Sequence, residues 1–365
     1  MLKNLSKKNK IILISMLVIP IVFILFLLLL KGCSGSSLSY ENYQKKMISA
    51  AKSYVEEHKL QPKNEGGIIN VDLDKLIDNG YINDYKKSLK EESCTGSVSV
   101  RNNGVSVKGN KGGYLIYIPD LKCDKYKTKH LIDVLKKDIV TEKSGLYQYG
   151  NEYIYKGLKV NNYVSFYDDL YRIISIDENN ILKLVKIDSE DNTVMWDNKY
   201  NNDIMEKNGK NDYSDSYIID VLSTLYLNTK EDKKKHLIGY NVCYGNRSLD
   251  NTDINNVQEC ELRISNQFYS LMSTYEYPMA SYDKDCTSIY SGACTNYNYL
   301  YDSLSNTWLI NGVKDNSYEV YYYSSGYIDY VYANYDMFYN VVIYLDGNEL
   351  FTKGNGSLKS PYVIK

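Results

Sequence analysis

Apolar and polar positions change pattern twice in the first sixty residues. Ile11 to Leu30, IILISMLVIPIVFILFLLLL, carries no charge and leaves the hydrocarbon pattern mainly at Ser15 and Pro20. Seventeen of its residues are Leu, Ile, Val or Phe, each worth about −0.3 to −0.6 kcal/mol at the centre of a membrane helix. The stretch is therefore predicted to be a transmembrane helix. Lys3, Lys7, Lys8 and Lys10 precede it and Lys31 alone follows directly, which predicts residues 1–10 in the cytoplasm and residues 31–365 outside the cell. Two other readings stay open: a cleaved signal peptide, whose apolar core usually runs about 7–15 residues, and lipidation of Cys33 in Leu30-Lys31-Gly32-Cys33. All three export the remainder of the chain.

After a Gly/Ser tether, residues 31–39, the pattern turns amphipathic. Tyr43, Met47, Ala50, Ala51, Tyr54 and Val55 recur at helical spacing and predict a helix over Tyr40 to His58. A second short helix is predicted at Val71 to Ile77, stopped by Asn79-Gly80. Alternation in Ser97 to Val100 and Tyr114 to Ile118 predicts antiparallel strands that close a small α+β domain, residues 40–125. Residues 126–150 read as a linker with a turn or two of helix around Leu131, Val134, Leu135 and Ile139. From 151 to 365 the chain reads as a larger β-rich α+β domain. Tyr163 to Phe166, Leu170 to Ile176 and Ile181 to Ile187 form a strand series turned at Asn179-Asn180. Ser216 to Leu227 is a predicted helix, and Tyr318 to Tyr323, Tyr327 to Tyr332 and Asn340 to Leu345 are predicted strands.

Composition adds an unusual count: 40 Tyr against 6 Phe and 2 Trp in 365 residues. Rigid amphipathic rings suit ligand contact, and A+T-rich codon usage accounts for the same excess together with the abundant Asn, Lys and Ile. A net charge of −2 supplies no field toward nucleic acid. The seven cysteines group as Cys33 alone, Cys94 with Cys123, and Cys243, Cys260, Cys286 and Cys294. Outside the cytoplasm even groups predict disulfides. For the last four, three connectivities exist, and Cys243 to Cys260 with Cys286 to Cys294 is the most local. A zinc site lacks a CxxC pair, and His58, His130 and His236 stand apart from the four cysteines.

Two resemblances follow from the residues. The anchor, the AAKSYV helix, the VDLDKLIDNGYI segment and the Cys-bounded hairpin resemble, over residues 11 to 125, the small α+β domain of pilin-like and pseudopilin-like surface proteins, without the prepilin cleavage motif. NNYVSFYDDLYRIISID (161 to 177), MWDNKYNND (195 to 203), NDYSDSYIIDVLSTLY (211 to 226), CTSIYSGACTNYNYL (286 to 300) and the ending from Val341 are similar to bacterial exported modules of unknown function related to the formylglycine-generating-enzyme and C-type-lectin-like fold. That resemblance implies fold more securely than activity. Enzymes of this fold use a copper ion held by two late cysteines, and no Cys follows Cys294 here. Lectins of the fold use Glu-Pro-Asn or Gln-Pro-Asp with calcium, and neither tripeptide is present.

Candidate chemistry is sparse. Asp212, Asp215 and the run Asp197 to Asp203 offer oxygen ligands for calcium without EF-hand spacing, and turn capping explains them equally. No metal, cofactor or catalytic residue is assigned. The expected function is a non-catalytic, membrane-anchored surface protein that binds an extracellular glycan or protein through Trp196, Trp308, Tyr297 and Tyr299, with burial as the rival reading of both tryptophans. The alternative is a structural subunit of a pilin-like envelope assembly.

Overall fold

A computed structural model describes residues 37–64, 66–102, 115–254 and 259–364. The predicted membrane span, residues 11–30, and the lipidation candidate Cys33 lie outside the described residues.

In the first unit α1 (Tyr40–Glu57) starts where the Ser39 side chain accepts from the Asn42 amide at 3.2 Å, a standard cap for an orphan helix donor. Its buried stripe of Tyr43, Met47, Ala51 and Val55 packs on an antiparallel sheet ordered β1 (Ile68–Asp72), β2 (Cys94–Asn102), β3 (Leu115–Cys123) and β4 (Tyr126–Lys127). Between β1 and β2 lie α2 (Leu73–Asp78) and α3 (Tyr85–Ser88). Val71 and Asp72, expected in a helix, belong to β1, paired with Val98 and Ser97. Cys94 stands directly opposite Cys123 in register, with Cα atoms 4.2 Å apart and a disulfide between them.

Residues 126–150 are not a bare linker. They hold β4, α4 (Leu131–Leu135) and the whole of β5 (Gly145–Tyr149), and Leu131, Ile132 and Leu135 sit in the larger core. The chain continues through β6 (Glu152–Lys156), β7 (Tyr163–Phe166), β8 (Asp169–Ile176), β9 (Ile181–Lys186) and β10 (Val194–Met195). Then come α5 (Tyr217–Asn228), α6 (Glu231–Lys234), β11 (Tyr240–Tyr244), β12 (Leu262–Gln267), β13 (Tyr269–Ser270) and α7 (Glu276–Met279). The last strands are β14 (Thr307–Gly312), β15 (Glu319–Ser324), β16 (Tyr327–Tyr332), β17 (Asp336–Met337), β18 (Val342–Asp346) and β19 (Tyr362–Ile364). The main sheet runs β13-β18-β9-β8-β6-β5, and β7 joins β8 to the parallel β19. A second sheet is β14-β15-β16. Every residue of β14 and of β18 is buried, as expected for strands covered on both faces.

The expected fold class, α+β opened by a transmembrane helix, is corrected. The chain is β-rich, 36% strand and 20% helix in several sheets, and no helix among the described residues is long and apolar enough to cross a membrane. β-branched and tyrosine-rich segments favour pairing over helix, and α1 and α5 are the long helices of the described residues.

The two units touch. Ile116 and Ile118 of β3 belong to the larger core. Arg101 of β2 pairs with Asp346 at the end of β18, both buried. His130 Nδ1 lies 2.6 Å from the Asn348 carbonyl and its Nε2 lies 3.8 Å from Asp120 of β3. Burial opposes the His130 charge, but Asp120 and that carbonyl outweigh it and raise its pKa.

Candidate functional site: a tyrosine-faced hairpin

β15 and β16 pair without a bulge from Glu319 opposite Tyr332 to Ser324 opposite Tyr327. Ser325 and Gly326 close them, both at positive φ, 48° and 93°, the two-residue loop that suits hairpin twist. A Cβ on Gly326 would stand 2.6 Å from Thr295 Cγ2 and 2.7 Å from Tyr301 Cε2. Only glycine lets the loop 286–301 lie this close to the hairpin. That loop is closed by the disulfide Cys286–Cys294, and Tyr323 donates its hydroxyl to the Tyr301 carbonyl at 3.3 Å.

One face of the hairpin is sealed next to the loop and opens toward its Glu319–Tyr332 end. Tyr321, Tyr323 and Ile328 are buried, Tyr277 packs on Tyr323 with centroids 4.6 Å apart, and Tyr290 donates to the Tyr321 hydroxyl at 3.2 Å. Burial raises the pKa of Tyr321 above its ordinary value. The exposed rings of β16 and of the turn after it are Tyr327, Tyr330, Tyr332 and Tyr335, joined by Tyr297 and Tyr301 from the loop, with exposures from 36% at Tyr330 to 61% at Tyr297. By register Tyr330 and Tyr332 stand on the Tyr321 face, where Tyr330 meets Tyr321 edge to face at 6.1 Å, and Tyr327 stands on the other. Tyr318 meets Tyr332 edge to face at 5.3 Å. β16 has no strand on its outer edge among the described residues, and Asp329 is exposed on it. Each ring here offers an apolar face and a hydroxyl on rigid backbone, which suits reversible contact with a sugar or peptide.

Of the four predicted contact rings, Tyr297 alone is exposed. Trp196 and Trp308 are fully buried. Trp196 Nε1 donates to the Leu309 carbonyl at 2.9 Å, and Trp308 Nε1 donates to the Val194 carbonyl at 2.8 Å. The two indoles therefore tie β10 to β14 and are core residues. Tyr299 is also buried, with its ring 4.5 Å from the Arg172 guanidinium carbon; Tyr163 stands 4.1 Å from the same carbon. Arg172 Nε donates to Asn162 at 2.9 Å and one terminal nitrogen donates to Ser303 Oγ at 3.0 Å. Burial leaves Trp196, Trp308 and Tyr299 no accessible face, and takes them out of the contact set.

Turn chemistry accounts for the calcium candidates. Asp197 is buried and accepts the amides of Lys210 at 2.7 Å and Tyr217 at 3.1 Å. Asp212 caps Ser214 at 3.0 Å, and Asp215 pairs with Lys199 at 2.6 Å. Among the described residues no group of three or more His, Cys, Asp or Glu is placed to hold a metal ion. Cys243 and Cys260 form the third disulfide, with Cα atoms 4.6 Å apart. His236 Nδ1 lies 2.8 Å from Glu349, which outweighs burial and raises its pKa.

Sequence reasoning missed the buried charges behind the hairpin. Arg247 and Glu259 are both buried and lie 2.7 Å apart. Glu259 also accepts the Thr274 hydroxyl and, at 3.3 Å, the Tyr275 amide. Burial pushes its carboxyl up to about 7, with Arg247 opposing. Lys183 of β9 pairs with the buried Glu276 of α7. Charges spread over 90 residues of sequence have no local spacing that would announce them.

Comparison with family models, curated proteins and solved structures finds no match to this chain. The site's own geometry carries the functional reading.

Proposed function

We propose that this chain is an exported, non-catalytic recognition protein that binds an extracellular protein or glycan through the exposed tyrosines along the edge strand β16 and the loop packed against it. The observation that carries the reading is the gathering of Tyr297, Tyr301, Tyr327, Tyr330, Tyr332 and Tyr335, all exposed, on one hairpin and its disulfide-closed neighbour. Surface rings normally scatter singly, and a cluster on a rigid layer is the composition of a contact surface. Three disulfides support a location outside the cytoplasm, since they persist where the medium is oxidising. The expected kinship of residues 151–365 with C-type-lectin-like modules accords with a binding role. A second reading, a structural subunit of a pilin-like assembly, draws on one long helix laid across a small antiparallel sheet in residues 40–127.

The test is retention of the full chain on immobilised cell-envelope extract. The triple change Tyr297→Ala, Tyr327→Ala, Tyr330→Ala should cut retention at least tenfold with an unchanged melting temperature. Equal retention of the variant and the unaltered chain would refute the assignment.

A further inference from the structure

Where the two units meet they leave a cleft of about 750 Å³, within the size range of ligand pockets and at an interface of the kind where they form. It shares Arg101 with a smaller gap of about 370 Å³. The small unit contributes Arg101 and Asn102, and the large unit contributes Glu152, Asp177, Glu178, Tyr240, Asn241 and Arg263.

The walls are polar, so selection here works through hydrogen bonds more than through apolar burial. Asp177 is already engaged: one oxygen accepts the amides of Asn179 and Ile181 at 2.9 and 2.8 Å, and the other accepts the Tyr240 hydroxyl at 3.1 Å. Arg101 is nine-tenths buried and spends one terminal nitrogen on Asp346, while its Nε and second terminal nitrogen have no acceptor among the described residues. Neither nitrogen is among the sealed, unpartnered atoms of the described residues, so both open onto the cleft or the gap beside it, where a ligand can supply an acceptor. The groups left to a ligand are then two guanidiniums, Arg101 and Arg263, two carboxylates, Glu152 and Glu178, and the exposed amide of Asn241. With Asp177 the cleft carries three carboxylates against two guanidiniums, of which Arg101 is held by Asp346, so an anion is repelled. Donors and acceptors alternate, and a hydroxyl is both at once. Tyr240, stacked on Tyr344 at 4.3 Å and 14°, adds a rigid ring to the wall.

We infer that this cleft is a second binding site, distinct from the tyrosines of β16, and that it takes a short neutral saccharide. It stands or falls separately from the assignment of those tyrosines.

The experiment is calorimetric titration of the full chain with maltotriose, cellotriose and chitotriose, each against the unaltered protein and against Asn241→Leu, Arg263→Leu and Tyr330→Ala. Asn241 and Arg263 are exposed rim residues, so their replacement leaves folding intact. At least one trisaccharide should bind, and both rim changes should weaken it about tenfold or more, the loss of one hydrogen bond to a charged or amide group. Tyr330→Ala should bind as the unaltered chain does. No binding of any of the three sugars, or binding that survives both rim changes, would overturn the cleft site. Binding lost in Tyr330→Ala but kept in the rim variants would move the sugar to the tyrosines of β16, overturning this inference and sustaining the other.

Discussion

Residues 40–127 fill their core with Tyr43, Met47, Ala51, Val55, Leu76, Val98 and Leu121 around one disulfide, whereas the larger unit sets Arg172, Arg247, Glu259 and Glu276 among its tryptophans and tyrosines. The small unit lays one long helix on one sheet, and the apolar stripe of that helix, with Leu73 and Leu76 of α2, closes it. The large unit has to fasten long loops, 245–254 and 286–301 among them, onto two sheets. Loops carry backbone groups that apolar packing cannot satisfy: Arg247 donates to the Asn251 carbonyl at 3.0 Å and to that of Asp253. Polar ties in a core therefore mark where irregular chain is being held in place, and here they lie directly behind the tyrosine hairpin, with Tyr321 donating to the Arg247 carbonyl at 3.4 Å.

The largest effect should come from breaking that ionic tie. Arg247→Met leaves Glu259 buried without its cation and should cost about 3–5 kcal/mol in urea unfolding. Adding Glu259→Leu should recover much of the loss, and a double variant no more stable than the single one would show that the pair is not the reason. In the small unit the counterpart is covalent. Replacing Cys94 and Cys123 by Ser, 29 residues apart, should cost about 3–4 kcal/mol on the chain-entropy model, as followed by hydrogen exchange of β2 and β3. If the two units are independent in this respect, exchange in β18 should not change.

Much of the fold was legible where periodicity is local. The stripe in α1 follows its helical spacing, and Asn179-Asn180 turns β8 into β9 with Asn180 at φ 61°. The hairpin β15–β16 lies within a residue of its expected bounds. Pairing at a distance was not legible. β19 lies parallel to β7 with Tyr362 opposite Val164, and nothing in a three-residue strand announces a partner two hundred residues away. The site was legible in its residue type and not in its members. Trp196 and Trp308 attract attention by size, yet size and apolar area are what send a ring inward, while the unremarkable tyrosines of β16 stay out because their strand is an edge.

Acidity offers a smaller test. His130 and His236 have raised pKa values in the fold, so their ion pairs contribute fully below about 6.5 and fade as pH rises through the folded values. Glu259, pushed up to about 7, holds a proton in the fold that the unfolded chain has already released, so it too loses stability as pH rises from about 4.5 to 7. Asp120, lowered chiefly by its bond to His130, acts oppositely and only as pH falls through its folded value. Unfolding free energy should therefore decline from about pH 5 to pH 8. A flat or rising profile would contradict these assignments. The smallest effect on stability belongs to the hairpin surface: Tyr327→Ala and Tyr332→Ala should each change it by less than about 0.5 kcal/mol, which separates them from any ring in the layer beneath.

The most direct test places a photo-crosslinking phenylalanine at Tyr330, and separately at Tyr149, an exposed ring on β5, in the full chain on intact cells. Recognition through the hairpin predicts a discrete adduct from position 330 and none from 149. Equal labelling from both positions, or none from 330, would contradict it.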